Sequence, residues 1–228
     1  MISIIIPAFN VQDYLPDAIE SCLDQNVHGE IIVVDDGSTD NTLAIAKKYE
    51  ADRPDVIRVI HQVNKGLSSA RNTGIMNAKY DWCLFLDADD MLADWGLEKI
   101  IYTIQENPDV DIVSGSLKTF GTSNQTIILQ ADPKLEDFRT GNRIGSSSAV
   151  RTSALKAVGG FSPRMVEGYE DLHLWCDLLS RGSKIKTIQD IVWLYRTKPE
   201  SMWTDSLKYH DKLLAQINKD VPEAQLNF

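Results

Sequence analysis

Short β-branched runs at residues 2–6, 30–34, 56–60 and 82–86 alternate with longer segments of helical period, and this alternation constrains the fold more than any other feature of the chain. Between the first two runs, Tyr14, Ala18, Ile19 and Cys22 recur at helical spacing, and Pro16 falls in the first turn, where its missing N–H is tolerated. Leu43, Ile45, Ala46 and Tyr49 mark a second helix capped by Thr39 or Asp40, and a third runs from Gly66 to Ala78. Parallel strands need such crossovers, so the pattern predicts an α/β protein with a mainly parallel central sheet flanked by helices.

Beyond residue 92 the alternation loosens. A helix is expected over 94–106, stopped by Pro108, and a strand over 110–114. Residues 121–147 are rich in Gly, Ser, Thr and Asn, with one strand expected over 126–130, a composition suited to binding loops. Leu172, Leu174, Trp175, Leu178 and Leu179 define a helix with Glu170 and Asp171 at its start. Strands follow at 185–188 and 191–195, and an amphipathic helix at 204–217. No repeat or linker divides the chain, which reads as one domain over 1–228 with segments 1–115, 116–203 and 204–228.

A net charge of −10, from 33 acidic and 23 basic residues, disfavours nucleic acid as a partner. Cys22, Cys83 and Cys176 fit neither a disulfide framework nor a zinc spacing and suit a reducing, cytoplasmic setting. Residues 1–7 lack the basic head and long apolar middle of a signal peptide, and no apolar run approaches the roughly 20 residues that span a bilayer. His28, His61, His173 and His210 have no mutual metal spacing, and Trp175 is expected in the core.

Polar residues gather where strands end, which is where ligands bind in open α/β sheets. Pro7, Ala8 and Phe9 follow the first strand with a ring and backbone groups able to meet a planar base, or they form a plain turn. Asp36 follows the second strand, as a partner for base N–H or ribose hydroxyls, or as part of an acidic capping turn. Lys65 and Arg71 flank a helix start suited to phosphate, or lie on a solvated face. The fourth strand stops in Asp87, Asp89 and Asp90, whose mutual repulsion a hard cation such as Mg²⁺ or Mn²⁺ would relieve; the alternative is a solvated acidic turn.

Taken in order, Ile-Ile-Ile-Pro-Ala-Phe-Asn at 4–10, Val-Val-Asp-Asp-Gly-Ser-Thr-Asp at 33–40, Asn-Lys-Gly-Leu-Ser-Ser-Ala-Arg-Asn-Thr-Gly at 64–74, Leu-Asp-Ala-Asp-Asp at 86–90, Gly-Gly-Phe at 159–161 and Glu-Asp at 170–171 resemble a family 2 glycosyltransferase with the nucleotide-sugar-binding GT-A fold. The resemblance covers about residues 2–182. It implies a donor-binding half over 1–115, an acceptor half over 116–203, and transfer with inversion from a nucleotide-diphosphate sugar, UDP-linked by preference, to a hydroxyl of a saccharide, glycolipid or protein. Pro7, Phe9, Asp36 and Arg71 fall on nucleotide-contacting positions, Asp87 and Asp89 on the acids that grip the diphosphate through Mn²⁺ or Mg²⁺, and Asp171 on the general base. Glu170 either orients the acceptor or caps its helix, and Arg196, near Ser201-Met202-Trp203, falls where a contact to diphosphate or acceptor is expected. Phe9 departs from the usual tyrosine, keeping a stacking face and losing a hydroxyl. The Gln-x-x-Arg-Trp motif of processive synthases is lacking, which favours single transfer, in the cytoplasm or at the inner membrane face, within polysaccharide biosynthesis.

Rival readings account for less. A phosphatase with Asp-x-Asp carries its nucleophile on the first strand, and a receiver module is much shorter and leaves Asp171 unexplained. A nucleotidyltransferase, or a nucleotide-sugar binder of the same fold without turnover, remains the alternative.

Overall fold

The computed structural model describes residues 1–25, 29–199 and 205–228. In chain order it contains β1 (Ile2–Ala8), α1 (Leu15–Leu23), β2 (Gly29–Asp35), α2 (Thr42–Asp52), β3 (Ile57–His61), α3 (Leu67–Asn77), β4 (Trp82–Phe85), β5 (Met91–Leu92), α4 (Gly96–Glu106), β6 (Ile112–Gly121), β7 (Thr126–Ile127), a 3-10 turn (Leu135–Thr140), β8 (Ala149–Arg151), α5 (Thr152–Val158), α6 (Glu170–Ser180), β9 (Ile185–Thr197), a second 3-10 turn (Leu207–Tyr209) and α7 (His210–Asp220).

The strands form one sheet in the order β3-β2-β1-β4-β8-β6-β9-β5, with β7 paired to β6. β1, β2, β3 and β4 run parallel, as expected of strands joined by helical crossovers. All seven residues of β1 are buried, which a strand covered by helices on both faces requires. Its side chains alternate between two cores. Ile2, Ile4 and Ile6 pack with α1 and α4 through Leu15, Ile19, Leu97 and Ile100. Ile5 faces the other way, toward Phe85, Phe161 and the buried face of α6.

Gly74 lets α3 lie close on this second face, because a Cβ there would run into the Ile5 side chain. That approach seats α3 on β1 and β2 and brings Arg71 within hydrogen-bond reach of Asp87, just beyond β4. The register pairs Ala8 with Asp35 and Ile5 with Phe85, so Phe9, Asp36 and Asp87 all emerge at the same rim of the sheet.

The second half departs from expectation. The strand foreseen at 110–114 extends to Gly121, and those foreseen at 185–188 and 191–195 are one strand, β9, broken only by a bulge where Gly115 and Ser116 pair with Ile188 and Ile191. The strand over 126–130 shrinks to Thr126–Ile127. β5, β8 and α5 have no counterpart in the sequence reading; β8 is three residues long and is held between β4 and β6 by antiparallel pairing. At the second helix the cap position falls on Asn41, although Asp40 Oδ1 still accepts from Thr42 N at 2.9 Å. The last helix begins at His210. Thr204, Ser201-Met202-Trp203 and His28 lie outside the described residues. Among the described residues no helix is long and apolar enough to cross a membrane.

Candidate active site

At the β1 and β2 ends, two loops are stitched together. Asn10, held in the left-handed region at φ 52, accepts from Thr39 N through Oδ1 at 2.8 Å and donates its backbone N–H to Ser38 Oγ at 3.0 Å. This leaves Phe9 46% exposed, with its ring at the rim, while Pro7 and Ala8 are buried in the strand. Asp36 is buried and already engaged. Its Oδ1 accepts from Gln62 Nε2 (2.7 Å) and Lys65 N (2.9 Å), and its Oδ2 from Gly66 N (2.8 Å). The acid therefore shapes the turn leading into α3, whose cap residue Gly66 stands at φ 87 with no side-chain cap bond. A cleft opens here, with Lys65, Gly66 and Ser68 on one wall and Pro163, Val166 and Glu170 on the other.

Beneath the cleft lies Arg71, 0% exposed. Its Nη1 donates to Glu170 Oε1 and its Nη2 to Asp87 Oδ1, each at 2.6 Å, and the guanidinium stacks over Phe161 at 5.0 Å from the ring centroid. Asp87 Oδ2 accepts from Ser146 Oγ at 2.9 Å. Glu170 does not cap α6, whose cap residue is Tyr169 at φ 59 with no side-chain cap bond; its carboxylate serves Arg71 instead.

The other two acids after β4 meet β9 and the residue beyond it. Asp89 Oδ2 pairs with Lys198 Nζ, and the Asp89 carbonyl accepts from Arg196 Nε at 2.8 Å. Asp90 is buried and accepts from Arg196 N at 2.7 Å; burial, reinforced by the charges of Asp87 and Asp89, holds its carboxyl well above the usual range. Arg196 also binds Asp17 Oδ2 at 2.7 Å and lies over the rings of Tyr14 and Phe120, so its guanidinium is committed within the protein.

Asp171 opens α6. Its Oδ1 accepts from Leu172 N at 2.7 Å and its Oδ2 from Asn142 Nδ2 at 2.9 Å. Burial, then the adjacent Glu170 charge, push its carboxyl up to about 7, against the opposing pull of the Leu172 N–H, Arg71 and Asn142. Tyr195 lies on β9, one residue before Arg196. Its hydroxyl is pushed up to about 12, first by burial and then by the charges of Asp90, Asp87, Asp89 and Asp171. The acids after β4 and the acid pair opening α6 thus share one site, and Asp36 borders it through Gly66.

Among the described residues, no three His, Cys, Asp or Glu side chains form a ready-made metal cage. The donor set present is carboxylate oxygen only. Asp89 keeps Oδ1 free of any hydrogen bond to a described residue, and each Asp87 oxygen retains a second lone pair beside its single donor. Such a set fits a hard cation that completes its shell with water and phosphate, and Asp89 would exchange Lys198 for it.

Asn142, Ser146 and Lys198 are the site residues that sequence reasoning did not assign. The first two lie in the Gly- and Ser-rich stretch already marked for binding, which was the available signal. Each described histidine has a partner outside the site's acids: His61 Nδ1 pairs with Asp35 Oδ2 at 2.7 Å, His173 Nε2 with Asp220 Oδ2 at 3.2 Å, and His210 Nδ1 with Tyr169 Oη at 2.8 Å.

Sheet order, helical layers and the acid-lined rim define a nucleotide-diphospho-sugar transferase fold of the GT-A type. The staphylococcal protein TarS, solved in complex with UDP-GlcNAc, superposes with a TM-score of 0.81 over 99% of this chain and 68% of that one, at 20% identity. The mannosyltransferase PcManGT from Pyrobaculum calidifontis, solved in complex with GDP-Man and Mn²⁺, gives 0.73 over 98% of this chain and 68% of that one, at 17% identity. The family model described as glycosyl transferase family 2 matches residues 3–159, and the chain belongs to that family. An uncharacterized glycosyltransferase from Nostoc sp., alr2836, is 34% identical over 208 residues, or 86% of this chain and 64% of the relative. Against another curated relative the matched part is 39% of that protein's length.

Proposed function

We propose that this chain transfers a sugar, with inversion, from a nucleotide-diphosphate sugar to a hydroxyl of a saccharide or lipid-linked acceptor, with Asp171 as the general base. The observation that supports this reading is the link from Asp87 through Arg71 to Glu170, the chain neighbour of Asp171, which ties the end of β4 to the start of α6. A hydroxyl is a poor nucleophile near neutral pH, and a carboxylate raised to about 7 is matched to taking its proton as it attacks the anomeric carbon. Attack from the face opposite the leaving nucleoside diphosphate inverts that carbon.

On the donor side, the exposed Phe9 ring stacks on the base, Pro7 and Ala8, buried in β1 rather than open to a base, carry that ring to the rim, and Asp36, with Asp87, orders the adjoining loops. Asp87 and Asp89 would hold Mn²⁺ or Mg²⁺, which when bound would supply positive charge to the departing diphosphate. Arg196 acts from behind, fixing Asp89 and Asp90 rather than touching substrate, and Glu170 serves the site through Arg71 rather than through the acceptor. UDP-sugars are the preferred donors, with GDP-sugars next, following the nucleotides bound by TarS and PcManGT. The buried free thiols Cys22, Cys83 and Cys176 agree with work in the cytoplasm or at the inner membrane face.

The test is release of nucleoside diphosphate from a panel of UDP-, GDP- and dTDP-sugars with and without Mn²⁺. Metal-dependent release from at least one is expected; none from any of them contradicts the reading, while tight binding without turnover favours the sugar-nucleotide-binding alternative.

A further inference from the structure

Arg71 has no exposed atom with which to meet a nucleotide, although its position in the chain had pointed to one. Nor does stability explain it well, because burying an ion pair costs in desolvation about what the pairing returns. What the guanidinium does have is geometry. Its planar fork donates at 2.6 Å to the acid ending β4 and at 2.6 Å to the acid beginning α6, so neither element can shift against the other without breaking a charge-assisted bond. The next residue repeats the tie: Asn72 Nδ2 donates to Phe161 O, and Asn72 Oδ1 accepts from Phe161 N, both at 2.8 Å. Phe161 in turn lies under the guanidinium and meets Phe85 edge-on at 5.0 Å. Two adjacent residues of α3 therefore clamp the donor side of the site to its base-bearing side.

We infer that Arg71 is a positioning residue for transfer, holding Asp87 and Glu170 at one fixed separation so that the donor-gripping acids and Asp171 address the same sugar. This rests on the function proposed above. Displacing a reacting group by about 1 Å can cost on the order of 100-fold in rate, and that loss falls on kcat while donor binding survives.

The variants are Arg71→Lys, which keeps the charge and loses the fork, Glu170→Gln, and the pair combined. Turnover is read with UDP-GlcNAc, or whichever panel member turns over fastest, at a pH well above 7, where Asp171 is ionised in every variant. Arg71→Lys is expected to lose roughly 100-fold in kcat, with KM and calorimetric UDP affinity in Mn²⁺ moving by about threefold or less. The double variant should be no worse than the weaker single, as for residues acting as one unit. If Arg71→Lys does not fold, Glu170→Gln alone is expected to show the same loss of kcat at unchanged KM. Wild-type kcat with raised KM, losses that multiply in the double variant, or a lowered Tm with unchanged kcat per folded molecule would each overturn the inference. Hydrogen exchange reads the bridge without turnover: the helix-bonded amides of residues 173–176 should lose protection in Arg71→Lys, and unchanged protection overturns the inference. A wild-type chain inert toward every sugar nucleotide instead overturns the underlying function.

Discussion

Asn142 donates its side-chain amide to Asp171 Oδ2 at 2.9 Å. Four residues on, Ser146 donates to Asp87 Oδ2 at 2.9 Å, so one loop touches the acid proposed as base and an acid proposed to grip the donor. A loop held at both points sets how the two sides of the site face each other, and its own conformation depends on both.

The Asn142 bond favours the charged form of Asp171, so removing it should raise that carboxyl further above about 7. The base works ionised, and kcat should therefore rise with pH through about 7 in the wild type and through a higher value in Asn142→Ala. A pH profile of kcat checks this. An unmoved or lowered midpoint contradicts it.

Phe9 presents its ring at the rim, and base stacking on an aromatic side chain is worth about 1–3 kcal/mol. Phe9→Ala should weaken UDP binding by that amount and leave the fold intact, whereas Phe9→Tyr should bind at least as well. Calorimetric titration with UDP in Mn²⁺ decides between this and a ring that touches nothing.

Gly74→Ala forces a methyl against Ile5, and overpacking of this kind costs about 1–3 kcal/mol. Because the same helix carries Arg71, the shift should also lower kcat. Chemical denaturation followed by turnover of the folded fraction measures both; an unchanged unfolding midpoint would mean that α3 lies farther from the sheet.

Much of the donor side was legible in the sequence because each of its strands is a local apolar run set off by a helical crossover. The runs at 2–6, 30–34, 56–60 and 82–86 became β1 to β4 with ends shifted by one or two residues. The rest depended on partners distant in the chain. Ala149–Arg151 is too short to carry a pattern of its own and is a strand only because β4 and β6 flank it. Ile185–Thr197 read as two strands because the bulge interrupts its period. Arg71 read as a phosphate ligand or a solvated charge, since a cation on a helix usually faces water; its acids stand 16 and 99 residues away, and nothing local announces them. The functional acids were found by type and order, but which of them are spoken for by the protein itself needed the coordinates.

The central claim is that Asp171 takes the acceptor's proton. Above its unfolded value near 3.8, a carboxyl raised to about 7 binds more protons folded than unfolded, so its ionisation lowers stability as pH rises from about 4 to 7. Asp171→Asn should therefore be at least as stable as the wild type at neutral pH and bind UDP with Mn²⁺ as tightly, while kcat for sugar transfer falls by about 100-fold or more. Transfer by Asp171→Asn at close to the wild-type rate would contradict the account.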